Sequence, residues 1–174
     1  MCCECVRTGA EFEKRKNMRD YFLNKGFDVV AEENYGYEIF DKDNNFYGTL
    51  LEKCEIYPYL VDHTANFETW QGITSKRNQP DAVLVRNNTF YIIEMKFQKE
   101  DSKSHSQEAL LPYCDFKKKQ YQKLLIGTDF KVKFCYLLSE SFKKREAELK
   151  DTYQYIEDVG CQYFIDEIPI EYFN

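Results

Sequence analysis

The sequence predicts one α/β domain of the α+β kind, a mixed sheet with helices packed on it. Three observations lead there. Two apolar runs, residues 82–85 and 90–93, flank a short Asn87-Asn88 break and read as a strand hairpin. Segments with helical spacing of apolar residues stand at 8–25, 115–126 and 141–159, before and after that hairpin. Strand-like runs alternate with the later helices, and no repeat or low-complexity linker interrupts the 174 residues.

Each element has a local cause. Residues 8–25 form a helix because Thr8-x-x-Glu11 is a capping-box pattern and Gly26 can end the helix in the left-handed conformation. Phe12, Met18, Tyr21, Phe22 and Leu23 give it an apolar side. Glu11 and Glu13 fall in its first turns, where the helix dipole favours negative charge. Residues 27–30 begin a strand, and 35–40 continues or pairs with it. Residues 41–45 are a turn-rich break. Residues 46–70 are expected to be an inserted helix or short strands, with 46–78 as the widest extent of the insertion. Residues 69–79 form a polar lead-in to the hairpin.

After the hairpin, residues 99–107 have little apolar content and predict a mobile loop at its open end. Helix 115–126 is capped by Asp115, with Phe116, Gln120, Tyr121, Leu124 and Leu125 at helical spacing. Residues 131–138 alternate and then turn apolar, as a buried strand does. Helix 141–159 sets Phe142, Leu149, Tyr153 and Ile156 on one side and stops at Gly160. Residues 161–165 are a last short strand.

Composition narrows the class. Hydrophobic residues at 43% and aromatics at 17% argue against disorder. No run approaches the roughly 20 apolar residues of a membrane helix, so no membrane partner is expected. The N-terminal Met-Cys-Cys-Glu-Cys lacks a basic region and an apolar core, so it does not read as a secretory signal. Seven cysteines without such a signal point to reduced thiols in a cytoplasmic protein. Cys54, Cys114, Cys135 and Cys161 read as core or near-core residues. Cys2, Cys3 and Cys5 lack a second ligand pair and do not make a zinc site. Net charge is −6, so a nucleic-acid binder would need a local basic face. Lys76 with Arg77, and Lys117 with Lys118 and Lys119, are the clusters nearest the hairpin. Each is either a phosphate-binding group or a solvated face.

The hairpin carries the chemistry. With Asn87 and Asn88 as the loop, Arg86 pairs with Thr89 and Asp81 falls opposite Glu94. Facing side chains share one sheet face, with Cβ atoms roughly 4.5–5.5 Å apart. Lys96 joins that face, and Gln98 does so by parity. Carboxylates this close repel unless a cation lies between them or one is protonated. Two carboxylates can chelate a hard divalent cation, and a nearby ammonium can steady an anion or an attacking water.

Pro80-Asp81 followed by Glu94-Met95-Lys96, in a strand-turn-strand setting, resembles the PD-(D/E)XK nuclease superfamily, which includes type II restriction endonucleases. The order of helix, strands, hairpin, helix and strand resembles its αβββαβ core, here with extra helices. The resemblance implies a Mg²⁺-dependent endodeoxyribonuclease in which Mn²⁺ can substitute. Asp81 and Glu94 would hold the metal with the backbone carbonyl of Met95, and Glu13 or Glu11 of the first helix would reach it through water. Lys96 would complete the catalytic set. Lys76, Arg77, Gln98, Gln120, Lys117 and Lys118 are the candidate substrate-binding residues. A homodimer is expected by analogy, since cutting both strands usually calls for two sites. The superfamily also contains resolvases, repair nucleases and inactive members. A structure-specific nuclease, a non-catalytic binding module and a small phosphoester hydrolase therefore stay open.

Overall fold

Among the described residues, seven strands lie across one sheet in the order in which they occur in the chain. The computed structural model describes residues 17–64, 67, 69–98 and 107–174. Helix α1 (Met18–Asn24) precedes strands β1 (Asp28–Ala31), β2 (Tyr37–Phe40) and β3 (Phe46–Leu51). A 3₁₀ turn (Lys53–Glu55) and helix α2 (Ile56–His63) lead to strands β4 (Ala82–Arg86) and β5 (Thr89–Lys96). Helix α3 (Cys114–Leu124), β6 (Lys131–Leu138), α4 (Glu146–Asp158) and β7 (Gln162–Ile165) complete the order. The 3₁₀ segments Glu108–Tyr113 and Glu140–Arg145 precede α3 and α4.

The connections explain the strand directions. β1 to β5 pair antiparallel, each with the next. β5 with β6, and β6 with β7, are parallel. Parallel neighbours need a crossover, and α3 and α4 supply it. Residues 46–51 are a sheet strand between β2 and β4, the short-strand alternative of the two expected there. Gly48 permits the close approach of β3 to β4, because a Cβ there would stand 2.7 Å from the Val85 carbonyl oxygen.

Side-chain parity divides the core. Helices α2, α3 and α4 cover one sheet face, packing on Val83, Phe90, Ile92, Phe134 and Tyr136. The other face carries Leu84, Tyr91, Ile93 and Cys135 beneath Met18, Phe22 and Phe173. Strands buried on both sides are apolar at successive positions, which is why β4 and β5 read as unbroken runs. Full burial of each such side chain is worth about 1.5–3 kcal/mol.

Several boundaries differ from the sequence reading. Asn17 caps the described part of α1, its Oδ1 accepting from the Arg19 N–H at 2.7 Å. Gly26 ends that helix at φ +83°, as predicted. The Thr8-x-x-Glu11 box, Glu13 and residues 99–106 of the predicted loop lie outside the described residues. Helix α3 begins at Cys114, so Asp115 is not its cap; its carboxylate instead accepts from Lys119 at 2.7 Å. Phe116 leaves the predicted apolar stripe and is 58% exposed. It lies two residues, roughly 200° of helical turn, from the buried Cys114. Cys114, Cys135 and Cys161 are buried thiols and Cys54 is half-buried. Among the described residues no helix is long and apolar enough to cross a membrane.

Candidate functional site

The hairpin pairs as its Asn-Asn break predicts. Asn87 and Asn88 both adopt left-handed φ, 49° and 55°, as a two-residue turn matched to strand twist requires. Arg86 pairs with Thr89 and Ala82 with Ile93. Carried one residue further, that register sets Asp81 across from Glu94. The two strands end unevenly: β4 begins at Ala82, while β5 runs on to Lys96 and stays paired with Leu138 of β6. Pro80 has no N–H to extend the ladder, and its carbonyl accepts from the Lys53 N–H at 3.1 Å. Asp81 fills the gap with its side chain, Oδ2 accepting from the Met95 N–H at 2.6 Å.

This unevenness leaves Glu94 and Lys96 on a strand end that faces α3. Glu94 is 5% exposed, and its Oε2 accepts from Lys117 Nζ at 2.6 Å and Lys96 Nζ at 3.1 Å. A buried carboxylate needs such partners, because desolvating it alone costs several kcal/mol. Lys96 Nζ also donates to the Met95 carbonyl at 3.3 Å and lies 5.9 Å from the Tyr136 ring centre. Burial, and then the charge of Glu94, push the Tyr121 hydroxyl far above its ordinary pKa; Tyr57 and Asp81 add to the shift. One phenol therefore feels both carboxylates. Burial, Cys114 and Glu94 act the same way on Tyr136.

A cleft of about 410 Å³ opens beside Glu94. Lys76 and Arg77 stand on one wall, and Lys117, Gln120 and Tyr121 of α3 on the other. The first wall is braced. The Arg77 guanidinium lies 4.6 Å from the Tyr57 ring centre, and the Tyr57 hydroxyl donates to the Asn78 carbonyl at 2.7 Å. The Thr74 hydroxyl donates to the Lys76 carbonyl at 3.0 Å.

Five of the expected substrate or metal positions thus border one space: Glu94, Lys76, Arg77, Lys117 and Gln120. Lys118 turns elsewhere, its ammonium donating to the Gly160 and Val159 carbonyls at 2.8 and 3.3 Å, at the end of α4. Gln98 is buried beyond the end of β5, so strand parity does not carry to it. Its N–H donates to Ser139 Oγ at 3.2 Å, and its carbonyl accepts from Ser141 Oγ at 2.6 Å. Glu13 lies outside the described residues. Sequence reasoning placed Lys117 near substrate and missed its contact with Glu94. The signal was its helical spacing of three and four residues from Gln120 and Tyr121.

Among the described residues, no group of three or more His, Cys, Asp or Glu side chains gathers as a metal site. The donors present are the carboxylates of Asp81 and Glu94 and the Met95 carbonyl, all hard oxygens suited to a small divalent cation. Two ammonium groups already offset the charge of buried Glu94, which marks its Oε2 as a place where positive charge is stabilised. No family model, curated protein or solved structure matches this chain.

Proposed function

We propose that the chain is a Mg²⁺-dependent endodeoxyribonuclease of the PD-(D/E)XK kind, with Mn²⁺ able to substitute, and that it works as a homodimer in the cytoplasm. The observation that carries the reading is the register-linked set of Asp81, Glu94 and Lys96 at the uneven end of an apolar hairpin, beside a cleft bearing Lys76, Arg77 and Lys117. The order α1, β3, β4, β5, α3, β6 supports the restriction-endonuclease-like core, with β1, β2, α2, α4 and β7 as additions.

Asp81, Glu94 and the Met95 carbonyl would hold the cation, with Glu13 as a further donor through water. When bound, such an ion polarises a phosphoryl oxygen and lowers the pKa of its water. The protein's own residues do the rest. Lys76 and Arg77 hold phosphates along one wall, as positioning contacts without base preference. Gln120 can donate to a phosphate oxygen from the other wall. Lys96 orients the attacking water and offsets the negative charge that grows as the new P–O bond forms and the ester bond breaks.

One observation favours a second reading. Glu94 is closed by two lysines, as it would be in a non-catalytic module that keeps the fold for binding. The deciding experiment incubates purified protein with plasmid DNA and Mg²⁺, beside an EDTA control and Lys96→Ala. Discrete, EDTA-sensitive fragments lost in the variant support a sequence-specific endonuclease. Nicking or smearing favours a structure-specific nuclease. No cleavage, with no Mg²⁺ binding by calorimetry, overturns the proposal in favour of the binding module.

A further inference from the structure

The rim of the cleft is aromatic as well as basic. Tyr113, the last residue of the 3₁₀ segment before α3, and Phe116, in the first turn of α3, are 56% and 58% exposed, and Leu110 just before them is 44% exposed. All three line the cleft that Glu94 borders. Large apolar side chains gathered at one exposed spot mark an interaction surface more often than chance placement. Phe116 adjoins Lys117, whose ammonium holds Glu94 Oε2 at 2.6 Å. The aromatic rim is therefore one residue along the helix from the lysine that grips the carboxylate. Facing it stand Lys76 and Arg77.

We infer that this rim is a stacking platform for an unpaired base, and that the cleft takes a nucleotide of single-stranded or locally unpaired DNA. The inference rests on the nuclease reading only for the choice of DNA as the polymer. Aromatic planes beside a cationic wall are the make-up of single-strand sites, where bases stack on rings and cations follow the phosphates. A regular duplex keeps its base faces stacked inside and presents phosphates and edges, so exposed rings would gain nothing from it. The cleft volume of about 410 Å³ lies at the small end of the roughly 300–1,000 Å³ that single-ligand pockets occupy, which suits one nucleotide. The charge is local: the protein carries a net −6, yet the cleft wall presents Lys76 and Arg77, while Lys117 offsets the Glu94 carboxylate there. An anionic strand is thus drawn to this cleft rather than to the surface at large.

The test is metal-free binding. A labelled single-stranded oligonucleotide and the same sequence as a blunt duplex are titrated in EDTA and followed by anisotropy, with wild type, Phe116→Ala, Tyr113→Ala and Phe116→Trp. The single strand should bind at least about tenfold tighter than the duplex. Phe116→Ala and Tyr113→Ala should each weaken single-strand binding by roughly five- to hundredfold, with duplex binding little changed. Phe116→Trp should keep the affinity, since the ring remains. Both positions are exposed, so melting temperatures should stay at the wild-type value. Equal affinity for both forms, or alanine variants that bind like wild type, overturns the inference. So does a self-associated protein that Phe116→Ala dissociates without any loss of oligonucleotide affinity. Ring-dependent single-strand binding without Mg²⁺-dependent cleavage removes the nuclease reading and leaves this one standing.

Discussion

Lys117 Nζ stands 2.6 Å from Glu94 Oε2, closer than Lys96 at 3.1 Å, although Lys96 is two residues away on the same strand. A helix residue distant in sequence is thus the nearer cation of the carboxylate that the hairpin presents.

That contact sets Lys117 in competition with a bound cation. Under the nuclease reading, Lys117→Met should tighten Mg²⁺ binding measured by calorimetry, by about tenfold for an interaction of ~1.4 kcal/mol. Cleavage should fall at the same time if the ammonium then serves a phosphate. Unchanged Mg²⁺ affinity in the variant would show that Lys117 and the ion do not share Glu94.

Glu94 also holds the fold. Lys96 has an 11% exposed side chain and would be left beside an uncharged group in Glu94→Gln. Breaking a buried pair by removing one partner costs about 3–5 kcal/mol. Lys117 is a third exposed and can turn to water, so the lower part of that range is expected. Urea unfolding of Glu94→Gln reads this. The double variant Glu94→Gln/Lys96→Met should recover part of the loss, because neither charge is then stranded. No recovery in the double variant would place the cost elsewhere.

The turn sets the site through register. Asn87 at φ 49° begins a turn that few side chains tolerate. Asn87→Val puts a β-branched residue in the left-handed region and should cost about 1–3 kcal/mol. Asn88→Gly should hold or raise stability, since Asn-Gly is the favoured pair for this turn. Thermal melts compare the two. A destabilised Asn88→Gly together with a neutral Asn87→Val would contradict the turn assignment.

Alkaline pH should unfold the protein steeply. Burial raises the hydroxyls of Tyr59 and Tyr153 to about 12, and those of Tyr121, Tyr136 and Tyr172 higher still, from an ordinary 10.0. Their folded pKa values are raised, so the stability they contribute is complete below pH 10. It falls as pH climbs from there toward the folded values, because the unfolded chain releases protons that the native state keeps. Each such tyrosine adds a slope of about 1.4 kcal/mol per pH unit. Tyr121→Phe should lower that slope by one tyrosine's share, seen in urea midpoints between pH 10 and 12. A slope identical to wild type would mean that Tyr121 ionises freely in the folded protein.

The sequence by itself determined the hairpin, its turn and the facing of Asp81 with Glu94. Those depend on short-range rules: side chains alternate along a strand, and a two-residue turn fixes register. It also determined helix α3, most of α4 and, among the described residues, the end of the first helix at Met18–Asn24, because their apolar spacing is local. For residues 46–51 it left a helix or short strands open, because a strand containing Gly48 and Thr49 looks weak until β2 and β4 pair with it on both sides. It misjudged Asp115, Phe116 and Gln98, whose roles turn on where α3 begins and where β5 stops. Only the tertiary structure decided that Lys117 meets Glu94, that Lys118 serves the end of α4, and that Tyr113 and Phe116 stand exposed at the cleft. These are meetings of segments far apart in the chain. The packing angle of a helix on a sheet decides them, and no residue spacing within either segment records that angle.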